Sequence, residues 1–504
     1  MAESVRDPGP GPSDAPLPPA RPPVDPTLGG PLVVAPPGTG AIVVTTDGLE
    51  AHAERLRRLR ESLAADATAL AAMHPPSADQ LAAAPAAVQS VRELATARSL
   101  VRAAADTAAL ADEAPRAAVA RYADEERRER DRALALGAQL AVQLGPILRQ
   151  LVWMLLPAIA IARLAGFPSR AQLAGLQQWM LDHPETITSP GFVEAVRITA
   201  MNMDELAGSV AGLPPGSATS LARLAGFTGV EAGAAYVIGA GRPFGMFREG
   251  PVSVDRVGTT TIASPATGAA ERLSRVPEGD QVRIERYDAP GMPPRFVVYV
   301  GPTETFSPEA TDEPWDLTSN VQGVAGLDAG SIRSTRAAMI DAGITSSDEV
   351  QLVGFSQGGL VATRLAASGD WNVTGLETYG APAGNIALPD GISGMAVRNS
   401  DDFIPALAGP QLDDHLLQVE RQAFAPGSPI PTELAAPAHQ RTAYDATAYV
   451  IDHAASDAVR EQVAAMDAFT VDYRERDGST ITAMVYEASR GAAKGVSAGG
   501  SPTP

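Results

Sequence analysis

The sequence predicts an α/β fold: a domain with a mainly parallel sheet, preceded by an all-α region. Three observations carry this. Past residue 251, β-branched runs such as QVRIERY, RFVVYVG and EVQLVGF alternate with helical patterns, as strands joined by crossover helices do. One of these runs, ending at Val353, passes into a helical pattern at 360–367 across nothing longer than GFSQGG. Before residue 215 the apolar spacing is instead helical and alanine-rich.

In chain order, residues 1–45 are rich in Pro and Gly, a composition that buries too little apolar surface to offset the entropy of ordering, so a disordered leader is expected. Residues 46–215 form the helical N-terminal region. DGLEAHAERLRRLRESLAADATALAAM places Leu49, Ala53, Leu56, Leu59 and Leu63 near one helical face. Breaks fall near Pro75, Pro115, Pro168, 184–190 and Pro214, because proline removes a backbone donor and clashes with the preceding turn. The apolar stretch 151–162 is shorter than the ~20 residues that span a bilayer. It reads as a buried helix, with a membrane surface or a protein partner as the alternative occupant of its face. Residues 216–250 read as a connecting segment, so a chain starting near Gly241 is expected to fold and act alone. The sheet domain covers 251–488: VSVDRVGTTTIA, QVRIERY and RFVVYVG as strands, a helix at 330–342, then EVQLVGF, WNVTGLETYGAP and GMAVRNSDD. A helix at 456–466 and a hairpin, FTVDYRERDGSTITAMVYEA, turning at Asp477 and Gly478, would close it. Residues 489–504 read as a disordered tail.

Composition excludes several functions. A net charge of −20 argues against nucleic acid, whose binding needs clustered Lys and Arg. With no cysteine, disulfides, thiolate metal sites and cysteine nucleophiles are all ruled out. The opening MAESVRDPGPGPSDAP lacks the apolar core of a secretory signal peptide, so export by that route is not expected.

The chemistry concentrates at Ser356. A strand turning directly into a helix pushes the middle residue out in a strained conformation, and Gly354 and Gly358 keep the flanking chain clear of it. The hydroxyl would stand at the helix N-terminus, where backbone N–H groups face an oxyanion. Ser497 also lies in a G-x-S-x-G sequence, but in a Gly/Ser/Pro tail with no strand before it or helix after it. A serine nucleophile needs a histidine to take its proton and a carboxylate to orient that histidine. His52, His74 and His183 precede it in the helical region, leaving His415, His439 and His453. Asp401 and Asp402 follow a strand and would sit at the carboxyl edge of the sheet, where chemistry gathers.

Taken together, GFSQGG, TYGAPAG, NSDDFIP and the later H-x-x-x-x-Y resemble α/β-hydrolases of the lipase type, in spacing similar to class 3 lipases and to a group of actinobacterial hydrolases. The resemblance covers roughly 281–451. It implies Asp402 rather than Asp401 as the acid, and His439 rather than His453 or His415 as the base. It also implies an oxyanion hole made by the N–H of Gln357 and one from the loop after RFVVYV, where Pro302 has no N–H and Thr303 or Gly301 must serve. The H-G-G-G loop of many lipases is absent. Phe306 and Trp315 follow this loop and could line the pocket. The helical N-terminal region loosely resembles substrates of type VII secretion, with Tyr122 and Glu126 at the spacing of their export tag and export without a signal peptide as the implication. The expected activity is hydrolysis of small-molecule or lipid carboxylic esters, with no metal or organic cofactor. A thioesterase or amidase on the same triad, or a non-catalytic partner-binding protein, are the alternatives.

Overall fold

The computed structural model describes residues 25–35, 178–202, 229–242, 245–306, 310–409 and 416–491, with isolated positions between 58 and 99 and between 220 and 227. The chain is α/β, built on one mixed sheet. Its elements are β1 (Leu32–Ala35), α1 (Pro190–Met201), α2 (Gly229–Gly241), β2 (Val252–Ile262), α3 (Gly268–Ser274), β3 (Val282–Asp288), β4 (Arg295–Val300), α4 (Leu317–Val324), α5 (Gly330–Asp341) and β5 (Glu349–Phe355). They continue as α6 (Gln357–Ser368), β6 (Asn372–Tyr379), β7 (Ser393–Asn399), β8 (Leu417–Arg421), α7 (Arg441–Asp452), α8 (Asp457–Glu475) and β9 (Thr480–Arg490).

The strand order is β1-β8-β7-β6-β5-β4-β3-β9-β2. The run from β4 to β8 is parallel, whereas β1, β3, β9 and β2 pair antiparallel, so the sheet is mixed rather than mainly parallel. Helices cross over between β4 and β5 and between β5 and β6, whereas long connections without a described α-helix join β6 to β7 and β7 to β8; β3 reaches β4 through a short turn, which permits only an antiparallel partner. Past its first residue, every residue of β5 is buried, as a central strand covered on both faces requires. On one face Val298, Leu352, Ile332, Met339, Val361 and Leu365 pack together. On the other, Tyr299, Val353, Tyr379, Tyr444, Ile451 and Phe469 do.

Four expectations need correction. The disordered leader does not extend to residue 45: Leu32–Ala35 is a strand on the edge of β8. Its hold is local chemistry that averaged composition hides. Gly30 N–H donates to the Gln422 carbonyl at 2.8 Å, and the Arg421 guanidinium donates to the carbonyls of Gly30 and Pro26. The hairpin at the C-terminus is absent, because α8 runs through FTVDYRE before β9 begins. Met466, Phe469 and Tyr473 recur at helical spacing and are buried, so packing outweighed the alternation of TVDY. β9 ends at Arg490, two residues past the expected boundary. Finally, 216–250 is not a mere connection: α2 packs on α4, and α1 on the Pro405–Ala408 turn and on α2. The sequence reading also passed over β8 and α4, the latter capped by the Asp316 carboxylate accepting from Ser319 N–H at 2.8 Å. The stretch 151–162, Tyr122, Glu126 and Ser497 lie outside the described residues.

Candidate active site

The sharp turn between β5 and α6 places Ser356 at φ 54°, ψ −119°, a strained conformation that costs a residue with a side chain about 1–3 kcal/mol. The crowding explains the flanking glycines. A Cβ on Gly354 would lie 2.4 Å from the Gly358 carbonyl carbon, and one on Gly358 only 2.0 Å from the Val300 carbonyl oxygen. Ser356 N–H is tied to the Tyr379 carbonyl at 2.8 Å, which locks the turn to the neighbouring strand.

Ser356 Oγ lies 2.8 Å from His439 Nε2, and His439 Nδ1 lies 2.6 Å from Asp402 Oδ2. Each member comes from a separate element. Asp402 follows β7, and its Oδ1 accepts from Ile404 N–H at 2.9 Å. Its Oδ2 also accepts the Tyr444 hydroxyl from α7 at 2.8 Å. Burial, then the charge of Asp402, pushes the Tyr444 phenol far above its ordinary pKa, so it stays a donor. His439 ends the one-turn helix Pro437–His439. Asn399 Nδ2 fastens that turn through the Ala438 carbonyl at 2.8 Å, and the imidazole stacks on Phe355 with ring centroids 5.5 Å apart.

The competing assignments separate cleanly. Asp401 is turned away, accepting from the N–H groups of Ala423 and Phe424 at 2.8 and 3.0 Å. Burial pushes its pKa up to about 6, against those two bonds. Adjacent residues of an irregular turn point in opposite directions, which is why one aspartate meets the histidine and the other pins the chain after β8. His453 is at the far end of α7, its Nδ1 against the Tyr449 carbonyl and its ring stacked on Tyr449 at 4.1 Å. His415 is outside the described residues.

Of the oxyanion candidates, Gln357 opens α6 directly after Ser356, and Thr303 sits across the cleft; neither main-chain N–H has a recorded acceptor among the described residues. Gly301 is excluded, because its N–H donates to the Gln281 carbonyl at 2.8 Å and extends the β3–β4 ladder. Asn320 on α4 ties the two remaining candidates together, donating from Nδ2 to Thr303 Oγ1 at 2.9 Å and to Gln357 Oε1 at 3.3 Å. Trp315 does not line the pocket: it is fully buried, its Nε1 donating to the Gly301 carbonyl at 3.1 Å, whereas Phe306 is exposed at the cavity mouth.

Two cavities meet at Ser356 and His439. One, about 320 Å³, is lined by Val230, Ala234 and Val237 of α2, Leu317, Val321 and Val324 of α4, and Ile404. The other, about 550 Å³, holds Glu278, Glu304, Arg441 and Asp445. Burial raises the Glu304 and Asp445 pKa values, and Arg441 pulls that of Asp445 back through a 3.0 Å ion pair. The contribution of α2 escaped the sequence reading, although Val230, Ala234 and Val237 at i, i+4 and i+7 carry the signal of an amphipathic helix.

No family model, no curated protein and no solved structure matches the chain.

Proposed function

We propose that the chain is a serine hydrolase of carboxylic esters on the α/β-hydrolase plan, with Ser356 as nucleophile, His439 as general base and acid, and Asp402 as the carboxylate that orients it. The observation that carries this is the unbroken hydrogen-bonded line Ser356–His439–Asp402, at 2.8 and 2.6 Å, starting from a strained serine.

In this reading His439 Nε2 takes the Oγ proton as Ser356 attacks the ester carbonyl. The negative charge on the carbonyl oxygen then falls to the N–H groups of Gln357 and Thr303. The intermediate collapses as His439 passes its proton to the departing alcohol oxygen, leaving an acyl-serine. Water, deprotonated by the same nitrogen, attacks that ester and releases the acid. Asp402 holds Nδ1–H throughout and offsets the positive imidazolium. No step needs a metal or a cofactor.

The test is a fluorophosphonate probe on wild type and Ser356→Ala. Wild type is expected to label and to hydrolyse p-nitrophenyl esters; the variant is expected to lose labelling and about four to six orders of magnitude in kcat. Labelling that persists in Ser356→Ala would remove the nucleophile from the reading.

A further inference from the structure

We propose that the apolar cavity beside Ser356 is an acyl-chain site roofed by α2, and that it sizes the active site for medium-chain acyl groups of about eight to ten carbons. This rests on the ester-hydrolase reading above.

The two cavities differ in chemistry, and the reaction's geometry tells them apart. Among the described residues, the lining of the cavity beneath α2 has no Asp, Glu, Lys or Arg, whereas the other cavity holds three carboxylates and Arg441. An ester carbonyl must turn its oxygen toward the N–H groups of Gln357 and Thr303, and its alcohol oxygen toward His439 Nε2. Thr303 borders both cavities, but Asn320, which donates to Thr303 and Gln357, lines the apolar one together with Val321 of the same helix. The residues that follow His439 in the chain, Gln440 and Arg441, line the polar cavity. The acyl chain therefore belongs in the apolar arm and the alcohol in the polar one.

Size sets the limit. A methylene fills about the volume of a water molecule, ~30 Å³, so 320 Å³ holds about ten of them. The roof is fastened rather than draped. Glu231 of α2 pairs with Arg364 of α6 at 3.0 Å, and the same guanidinium donates to the carbonyls of Gly323 and Val324 on α4. Roof, wall and nucleophile helix are thus one clamp. A longer chain must leave the cavity for solvent and gains nothing from its extra methylenes.

The test measures kcat/KM of the full chain across p-nitrophenyl acetate, butyrate, octanoate, decanoate and palmitate, for wild type, Val237→Trp and Val237→Ala. Each methylene taken into the cavity is expected to raise kcat/KM up to about fourfold, from the ~0.8 kcal/mol of its burial. Wild type should peak at octanoate or decanoate and fall at palmitate. Val237→Trp fills the roof and should lower the decanoate-to-butyrate ratio about tenfold or more, while Val237→Ala should raise the palmitate-to-decanoate ratio. A peak at acetate or palmitate, or ratios unmoved in a Val237→Trp protein that still labels with fluorophosphonate, would overturn the inference. If that variant does not fold, unmoved ratios in Val237→Ala overturn it in the same way. Labelling with a flat chain-length profile defeats the acyl site alone; no labelling and no hydrolysis by wild type defeats the ester-hydrolase reading and this inference with it.

Discussion

Removing one oxygen atom at Tyr444 tests whether the acid is held from behind. The Tyr444 hydroxyl donates to Asp402 Oδ2 at 2.8 Å and accepts the Asn399 N–H at 3.0 Å, and the residue is fully buried. Tyr444→Phe leaves the ring and its packing against Phe355 and Tyr379 in place. A hydrogen bond to a charged group contributes about 1.5–3 kcal/mol, and an orphaned buried N–H costs about 1–3 kcal/mol. Partial relaxation brings the expected loss to about 2–4 kcal/mol. At roughly 2–4 °C per kcal/mol for a domain of this size, the melting temperature should fall by about 5–12 °C. Asp402 keeps His439 Nδ1 on one oxygen and Ile404 N–H on the other, so the triad loosens without dispersing. We expect kcat to fall about tenfold, one 1.4 kcal/mol step in the barrier, with KM nearly unchanged. Differential scanning fluorimetry and p-nitrophenyl octanoate kinetics measure both. A Tyr444→Phe protein that melts within about 1 °C of wild type and turns over at the wild-type rate would refute the reasoning.

The other predictions concern the acids, the base and the chain's first half. Asp402→Asn should lower kcat about 10⁴-fold by leaving His439 in the wrong tautomer, while Asp401→Asn, which touches neither His439 nor Ser356, should stay within about tenfold of wild type; the opposite ranking moves the acid to Asp401. Asp401 has a second readout, because its folded pKa of about 6 lies above the ordinary 3.8. The stability it contributes is full below about pH 4 and is lost as pH rises through about 6, by at most roughly 3 kcal/mol. Asp401→Asn should therefore gain on wild type in denaturant titrations run across that window, and a difference that stays constant with pH contradicts the burial argument. His439→Ala should abolish turnover while His453→Ala, exposed and stacked only on Tyr449, should not change it; imidazole added to the medium should restore part of the activity to the first. A chain starting at Gly241 loses β1, α1 and α2 and bares both the edge of β8 and the apolar cavity that α2 roofs, so it should aggregate. A soluble truncated chain with wild-type decanoate turnover would show that these segments are dispensable.

The sequence alone determined the elements that answer to local rules. EVQLVGF followed by Ser356 and Gly358 admits one geometry, because a strand that turns straight into a helix leaves no room for a Cβ at the flanking positions. QVRIERY, RFVVYVG and GMAVRNSDD were legible as strands for the same reason: their β-branched, bounded runs carry the signal within themselves.

What only the tertiary structure decided is everything that joins distant segments. Whether Asp401 or Asp402 meets His439 depends on how one turn after β7 is oriented, and Ala423, Phe424 and Tyr444, all remote in sequence, fix that orientation. The parallel or antiparallel sense of each strand pair depends on which neighbour it finds, which is why the mixed character of the sheet was hidden. The same holds for LVV at β1, which is a strand only because the edge of β8 waits for it, and for α2, whose apolar face has a meaning only beside Ser356. Local propensity acts over a few residues, whereas burial is a property of surfaces brought together by the whole chain, and the candidate site is made at those surfaces.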